Sequence, residues 1–383
     1  MKQPRFHILH MLLSALAGAL AVVLLLWLFL GVQGMSLLTA WGAVRLRFVG
    51  EYDPATAADS ALYGLVGGLG DRWSYYLNAE ANAELERRRS NVYVGIGVTV
   101  SYGDPRGLTI ELVAPGTPAE KAGLQVGEII TGVDGASLEE VGQAAGLEAI
   151  QGKAGTDVLL TVLDAKGETR EVSVDRVKLE RQSVSYELLE GGVGYIKVVN
   201  FYSHSAEQLN AAVDDLADQG AVALVFDMRN NGGGYVDELT DMLDHLLPEG
   251  PIFRSTDVLG WEEVTKSDKN YVNLPMATLV NGDTYSAAEF FAAQLQETVG
   301  AYIVGSETSG KGYSQQSVYL PNGGTLNIST GKYTTGAGNS LVGTGVSLDA
   351  EVDLTAEESY QLVVGVLEHE ADPQLQKALE LLG

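Results

Sequence analysis

The stretch ATLVNGDTYSAAEFFAAQLQETVGAYIVG, residues 277–305, decides the fold. It begins and ends with short apolar runs, ATLV and AYIVG, which are typical of buried strands. Between them, apolar side chains recur at helical spacing, as at Ala288, Phe291, Ala292 and Leu295. A strand, a helix and a second strand in this order indicate an α/β core.

The same alternation continues on the N-terminal side of this stretch. GYIKVVNF reads as a strand, SAEQLNAAVDDLADQG as an amphipathic helix that ends at Gly220, and AVALVFD as a strand buried on both faces. We therefore assign residues 179–383 to one α/β core.

The N-terminal region predicts a membrane anchor. Residues 11–32 form an uncharged apolar run, and a helix needs ~20 such residues to cross a bilayer. Lys2 and Arg5 precede the run, which places the N-terminus in the cytoplasm and the rest outside. The alternative is a cleaved signal peptide, whose apolar stretch is typically ~7–15 residues. The run is longer than that, and no small-x-small cleavage site follows it, so we predict an uncleaved anchor over residues 1–34.

Two segments separate the anchor from the core. Residues 35–90 have a helical composition and end in Arg87, Arg88 and Arg89, which fit a solvated helix face. Residues 91–178 change to short β-rich runs with turn signals, and VLLTVLDAKGETREVSV reads as a hairpin. These residues predict a separate compact module.

Composition excludes several classes of function. The formal net charge is −26, which disfavours nucleic acid as a partner because phosphate backbones require a basic patch. The chain has no cysteine, which removes disulfides, thiolate nucleophiles and cysteine-based zinc sites. Five histidines leave few candidates for a metal site or for histidine-based catalysis, and we expect no metal or organic cofactor.

Ser286 and Lys311 are the candidate reactive residues. Ser286 lies where a loop enters a helix, and its simplest role there is an N-cap. The place also suits a nucleophile, because free amides and the helix dipole can stabilise an oxyanion. Lys311 ends a G-x-x-x-x-G-K pattern, but a phosphate-binding loop continues with Ser or Thr and a helix. Here Gly312 and a strand-like segment follow, which disfavours nucleotide binding.

Together these segments resemble the carboxyl-terminal processing peptidases, the tail-specific group of serine peptidases. In that family the nucleophilic serine follows an N-G-x-[ST]-x segment at the start of a helix. The general-base lysine lies in a G-K-G loop, with a glutamine four positions on. Ser286, Lys311 and Gln315 match, at spacings of 25 (311 − 286) and 4 (315 − 311). The family's D-x-R-N-N-x-G-G segment is present at residues 227–234, and GLGDRWSYYL at residues 68–77 is similar to its helical lead-in.

The resemblance implies a Ser/Lys mechanism on a crotonase- or Clp-protease-like α/β core. Lys311 would act as the base when neutral, which requires a lowered pKa, and Gln315 would orient it. The amides of Ala287 and of Gly233 or Gly234 would form the oxyanion hole. The sequence departs from the family pattern in two places. Tyr285 is a bulky residue beside the serine, and Asp283 and Glu289 are acidic residues that we expect to face solvent or to cap the helix.

The module at residues 91–178 is similar to a PDZ domain inserted before the core. VAPGTPAEKAGLQVGEIITGVDG carries that likeness, and YVGIGV resembles the loop that holds a terminal carboxylate. The expected peptide-binding residues are Gly95, Ile96, Gly97 and Val98. In relatives an arginine at the end of this module can contact the catalytic glutamine. Arg176 matches that place approximately, and the alternative is an exposed arginine.

The sequence thus predicts a serine endopeptidase that cleaves exported or membrane proteins near their C-termini. We expect protein or peptide partners with apolar C-termini, attachment to the cell membrane through one helix, and an extracytoplasmic catalytic part. A homodimer is one candidate assembly. The rivals are a scaffold that has lost activity and a Ser-His-Asp triad using His204 or His245, neither of which lies in a matching motif.

Overall fold

The computed structural model describes residues 4–383 and the side chains from residue 10 onward. Of the charges that orient the predicted span, Lys2 lies outside the described residues, and so does the side chain of Arg5. The chain divides into two units, the first ending at Ala61 and the second running from Leu62 to Gly383.

The first unit is dominated by one long apolar helix. Helix α1 (Pro4–Arg47) is interrupted at Gly31, whose φ of 62° is not helical, and it extends well past the predicted anchor limit at residue 34. The part from His10 to Arg47 is long and apolar enough to cross a membrane. Helix α2 (Pro54–Gly67) follows and continues into the second unit.

The segment before the module is only partly helical. Helix α3 spans Ala79–Arg89, but a strand, β1 (Tyr75–Leu77), lies before it. Residues 68–77, which we expected to be helical, are therefore turn and strand throughout. Strand β1 forms because it pairs with a strand of the core more than two hundred residues later, which local composition does not encode.

The β-rich module is a twisted sheet around its own apolar core. Its elements are β2 (Val92–Gly95), β3 (Val98–Ser101), β4 (Leu108–Val113), α4 (Pro118–Lys121), β5 (Ile129–Val133), β6 (Ala136–Ser137), α5 (Leu138–Val141), α6 (Gln143–Ile150), β7 (Asp157–Leu163), β8 (Thr169–Asp175) and β9 (Val177–Glu180). The main sheet has the order β3-β4-β5-β7-β8, which leaves β3 at an edge. Strands β2 and β9 pair with each other, so the chain enters and leaves the module side by side.

The catalytic candidates lie in an α/β core. Its elements are β10 (Val184–Leu188), β11 (Val193–Val198), α7 (Ser205–Asp218), β12 (Ala223–Asp227), α8 (Val236–Leu246), β13 (Gly250–Asp257), β14 (Glu262–Ser267), β15 (Met276–Val280), α9 (Ala287–Val299), β16 (Tyr302–Gly305), β17 (Tyr313–Tyr319), β18 (Thr325–Thr335), β19 (Ala350–Glu351), α10 (Ala356–Val364) and α11 (Pro373–Leu382). A six-stranded sheet of order β10-β11-β12-β15-β16-β19 is parallel except at β10. Strands β12 and β15 are buried throughout, which confirms the α/β class.

A second, antiparallel sheet covers the site. It has the order β1-β18-β13-β14, with β17 also paired to β18. Strand β17 begins two residues after Lys311, where a phosphate-binding loop would require a helix. This arrangement removes the nucleotide-binding alternative.

Candidate active site

The predicted reactive residues meet in one cavity of about 490 Å³. Ser286, Lys311 and Gln315 all line it, although they come from three different elements. The cavity lies between the loop after β15, the loop after β16, the glycine loop after β12 and the turn before β1. The spacing pattern in the sequence therefore corresponds to a single place in the fold.

Ser286 has a backbone conformation that serine rarely adopts. It is the N-cap of α9, with φ 61° and ψ −127°. A positive φ at a non-glycine residue costs roughly 1–3 kcal/mol and is concentrated at functional sites. The N-cap of α9 is thus also the candidate nucleophile, and the capping role does not exclude a reactive one.

Lys311 lies in a half-buried aromatic environment. Its Nζ is 5.0 Å from the ring centroid of Trp73 and 5.7 Å from that of Tyr285. Burial, and after it the positive charge of Arg89, lower the pKa of Lys311 to about 8, against the opposing effects of Glu289 and Asp71. No hydrogen bond joins this ammonium group to another described residue. A lysine in this setting can supply a neutral amine near neutral pH.

Glu289 links the serine loop to the lysine loop. Its side chain is fully buried, and one oxygen accepts the Ser286 and Lys311 amides, both at 2.9 Å. The other oxygen accepts the Gly310 amide at 2.7 Å and the Thr308 hydroxyl at 2.6 Å. We expected Glu289 to face solvent or to cap the helix. It does cap α9, but from the interior, and it fixes both reactive loops.

Gln315 is hydrogen-bonded to Trp73, and among the described residues no hydrogen bond joins it to Lys311. Its Nε2 donates to the Trp73 carbonyl, while the Trp73 ring faces the Lys311 ammonium. Trp73 is therefore a site residue that sequence reasoning missed, although it lies in the GLGDRWSYYL segment. Asp71 and Ser74 hold this turn, because Asp71 accepts the Trp73 amide and the Ser74 hydroxyl.

The glycine loop brings backbone amides close to Ser286. A Cβ at Gly233, where φ is 77°, would lie 2.8 Å from the Ala287 nitrogen, so only glycine fits there. The Gly233 amide, however, donates to the Asn231 side chain at 2.8 Å. Among the described residues, the Gly234 and Ala287 amides have no such partner. Of the predicted oxyanion donors, these two are free and Gly233 is occupied.

The D-x-R-N-N segment holds this loop in place. Arg229 forms buried ion pairs with Asp227 and with Asp372, each at 2.7 Å, which ties the end of β12 to α11. Asn230 exchanges two hydrogen bonds with Asn281, at 2.9 and 2.8 Å, which joins the glycine loop to the loop that carries Ser286. The motif thus positions the two loops and leaves its glycines at the cavity.

The expected peptide-binding residues lie where the module's sheet begins. Gly95 ends β2 and Val98 begins β3, whose outer edge is not paired within the sheet. Ile96 is buried in the module core, and a Cβ at Gly97 would meet the Thr117 side chain at 2.3 Å. An edge strand preceded by a tight glycine turn is the geometry that strand addition requires.

Arg176 does not reach Gln315, and it is not exposed. Its buried guanidinium donates to the Ala149 carbonyl at 2.6 Å and to the Ile150 carbonyl at 3.1 Å, at the C-terminal end of α6. All its described contacts lie inside the module. The expected link from Arg176 to the glutamine is therefore wrong, because the guanidinium satisfies the unpaired carbonyls at the end of a helix.

The two histidines considered for a triad lie elsewhere. The His204 ring contacts Glu207 at 3.6 Å and the His245 ring contacts Asp214 at 2.9 Å, and neither histidine lines the cavity. A Ser-His-Asp triad at Ser286 has no support in this arrangement.

Comparison with known proteins agrees with the two domains. Residues 192–352 match peptidase family S41, and residues 109–164 match the PDZ domain. The carboxy-terminal processing protease CtpA of Bacillus subtilis is 28% identical over 317 residues, which cover 82% of this chain and 68% of that protein. The chloroplastic C-terminal processing peptidase of Tetradesmus obliquus is 28% identical over 312 residues, covering 76% of this chain and 67% of that protein.

A solved structure supports the fold alone. The crystal structure of a candidate S41 protease from Bacteroides fragilis matches with a TM-score of 0.53 at 19% identity, covering 88% of this chain and 92% of the other. The two family matches fall on the α/β core and on the β-rich module described above. The α/β core therefore matches peptidase family S41, whose members are serine-type hydrolases, the β-rich module matches the PDZ domain, and over most of its length the chain is similar to carboxy-terminal processing proteases.

Proposed function

We propose that Ser286 is the nucleophile and Lys311 the general base of an endopeptidase that cleaves exported or membrane proteins near their C-termini. One observation carries this proposal. The buried carboxylate of Glu289 accepts the amides of both residues, so their loops are fixed at the same cavity. The lowered pKa of Lys311, about 8 because of burial, supports the role of a base.

The proposed chemistry begins with attack by the serine hydroxyl. Ser286 Oγ attacks the peptide carbonyl while its proton passes to neutral Lys311 Nζ. The amides of Ala287 and Gly234 donate to the developing oxyanion, a contribution of about 10²–10³ in rate per donor. Lys311 then gives the proton to the leaving amine, and water hydrolyses the acyl-enzyme.

The proposal includes a rearrangement before catalysis. Lys311 Nζ lies over Trp73 and Tyr285 here, and Gln315 is bonded to the Trp73 carbonyl. In the proposed active arrangement, Lys311 turns towards Ser286. Gln315 then leaves the Trp73 carbonyl, bonds to Lys311 and holds the lysine in place. Both residues lie next to the turn before β1, so movement of that turn controls the exchange.

The PDZ domain is proposed to hold and to sense substrate. A peptide would add as a strand to the open edge of β3, with its terminal carboxylate at the turn formed by residues 95–98. Peptide binding then favours the active arrangement of the core over the resting one. This gating needs no contact between Arg176 and the dyad.

The topology and assembly are further parts of the proposal. The apolar helix from His10 to Arg47 would anchor the protein in the cell membrane, with the PDZ domain and core outside the cytoplasm. Protease added to intact spheroplasts should then digest the core. If the core is digested only after lysis, the proposed orientation is wrong. Two expectations stay predictions: that the core resembles crotonase and Clp protease, and that the protein forms a homodimer.

The experiment that tests the dyad is cleavage of an unstructured protein by matched variants. We expect Ser286→Ala and Lys311→Arg to be inactive, since arginine keeps the charge but cannot release its proton. The controls are Ser359→Ala, at an exposed position of α10, and Lys269→Arg, on an exposed loop, which should both retain activity. Parental activity in Ser286→Ala would refute the nucleophile, and parental activity in Lys311→Arg would refute the base.

A further inference from the structure

The three arginines that end α3 have different environments. Arg87 and Arg88 are exposed and both pair with Glu84 on the same helix. Arg89 is half-buried and lines the cavity that holds Ser286 and Lys311. The expectation of a solvated basic face is thus correct for the first two arginines and wrong for the third.

Arg89 faces the cavity because of its place on the helix. Leu85, four residues earlier on the same face, also lines the cavity. The Arg89 guanidinium lies 5.8 Å from the ring centroid of Tyr235. Its Nε is enclosed, and no residue of the described chain accepts a hydrogen bond from it. The other guanidinium nitrogens donate to no described residue either, and the side chain lines the space that a substrate would occupy.

The charge of the cavity lining is opposite to that of the chain. The chain has 50 acidic and 24 basic residues, yet the described lining contains Arg72, Arg89 and Lys311 and no carboxylate. Arg72 donates to the Ser309 carbonyl and lies over the Trp73 ring, and Lys311 is the proposed base. Of the three cations, Arg89 is the one whose charged group has neither a hydrogen bond to a described residue nor an assigned role in catalysis.

We propose that Arg89 binds a carboxylate of the substrate, either the terminal carboxylate or an Asp or Glu side chain, close to the cleaved bond. This inference rests on the proposed function of the cavity. A guanidinium matches a carboxylate in charge and in planar geometry, and burial strengthens such a pair relative to water. The neighbouring Leu85, Val236 and Leu239 make the same subsite partly apolar, so it selects an apolar segment that carries one negative charge.

Matched peptides test this assignment. One pair shares a sequence and ends in a free or an amidated C-terminus, and a second pair is amidated and carries Glu or Gln near the end. The ratio of kcat/KM within each pair is measured for the parent, Arg89→Gln, Arg89→Lys and Arg87→Gln. The ratio cancels any general effect of a variant, including a change in the pKa of Lys311.

We expect the parent to prefer the carboxylate in at least one pair by about 10-fold, as for a charge-assisted hydrogen bond. Because the PDZ domain is also proposed to bind a free C-terminus, the pair whose ratio falls in Arg89→Gln identifies the source of the carboxylate. Arg89→Gln should lower that ratio by about 10-fold, Arg89→Lys should lower it less, and Arg87→Gln should leave it unchanged. Equal rates within both pairs in the parent, or an unchanged preference in Arg89→Gln, would overturn the assignment.

Binding separates this inference from the proposed function. Affinities of fluorescent versions of the same peptides are measured with Ser286→Ala, alone and combined with Arg89→Gln. The PDZ domain is identical in both proteins, so its own preference for a free C-terminus does not change the comparison. If Ser286→Ala still cleaves, the proposed function fails. If the combined variant keeps the same affinity ratio as Ser286→Ala, the Arg89 inference fails.

Discussion

At the residue scale, Glu289 is the side chain on which the geometry of the site depends. Each of its oxygens accepts two hydrogen bonds, and together they join the amides of Ser286, Gly310 and Lys311. Replacing it by glutamine preserves its shape but turns one oxygen into a donor, which leaves buried donors without an acceptor. Such a loss costs about 1–3 kcal/mol.

We therefore expect Glu289→Gln to lower kcat by at least about 10-fold and to lower the thermal midpoint. The matched control is Asp283→Asn, which removes an exposed acid from the same loop and should change neither quantity. Steady-state kinetics well below the thermal midpoint, with the midpoint measured separately, distinguish the two effects. Parental kcat in Glu289→Gln would show that the two loops keep their positions without the carboxylate.

The pH dependence of cleavage follows from Lys311. Burial lowers the pKa of this lysine from its ordinary value of 10.5 to about 8, and only its neutral form can accept a proton. Activity should therefore be lost as the pH falls below about 8, with kcat/KM decreasing roughly 10-fold per unit. The measurement is kcat/KM from pH 6 to pH 10 on an uncharged peptide. A flat profile between pH 6 and pH 8 would contradict the role of Lys311 as base.

The sequence was sufficient to place Ser286 and Lys311 and insufficient to place the residues around them. Spacing in a motif predicts that Ser286 and Lys311 belong to one site, but Glu289 accepts from amides 21 and 22 positions away. Arg89 looked like its two neighbours, because three consecutive arginines have the same composition and only the facing elements distinguish them. Partners that come from another element have no local signature.

At the scale of elements, Arg176 determines how the PDZ helix ends. Its buried guanidinium donates to the last carbonyls of α6 and to the Asp157 carbonyl, which joins the helix to the start of β7. We expect Arg176→Ala to lower the free energy of unfolding by about 2–4 kcal/mol, because several buried acceptors lose their donor. Chemical denaturation of the soluble part measures this change.

The control for that experiment is Arg106→Ala. Arg106 pairs with Asp104 on the exposed surface of the same domain, and its removal should leave the midpoint of unfolding nearly unchanged. If Arg176→Ala unfolds at the parental denaturant concentration but loses its response to peptides, the regulatory role would be restored and the structural one refuted.

Strands were predictable where burial alone specifies them. AVALVFD and ATLV are continuous apolar runs, and both form central strands of the core sheet, β12 and β15. Strand β1 was not predictable, because Tyr75–Leu77 is three residues long and is fixed by its pairing with β18. The turn before it, which carries Trp73, was missed for the same reason.

At the scale of the whole molecule, the PDZ domain and the core should act as one coupled enzyme. If peptide binding favours the active arrangement, a peptide with a free apolar C-terminus should raise the cleavage rate of a separate reporter substrate. The peptide must bind the active arrangement more tightly than the resting one, since equal affinity would shift nothing. Amidating its C-terminus should remove the effect.

Reporter turnover against peptide concentration measures this coupling. The control is the same titration with the amidated peptide, which differs by one terminal group. If turnover is unchanged at saturating free-acid peptide, and a direct assay confirms that the peptide binds, the PDZ domain holds peptides without activating the core.

The neck formed by β2 and β9 fixes how the PDZ domain is joined to the core. The pairs from Val92 with Glu180 to Gly95 with Val177 bring the two ends of the domain together, and buried Asn91 bonds to Ser183 at the base. Insertions in the loops beyond the neck leave the spacing of its two ends unchanged. Over evolutionary time, the loops of the PDZ domain can therefore diverge on one side of the neck while the hydrolytic core on the other side is inherited intact.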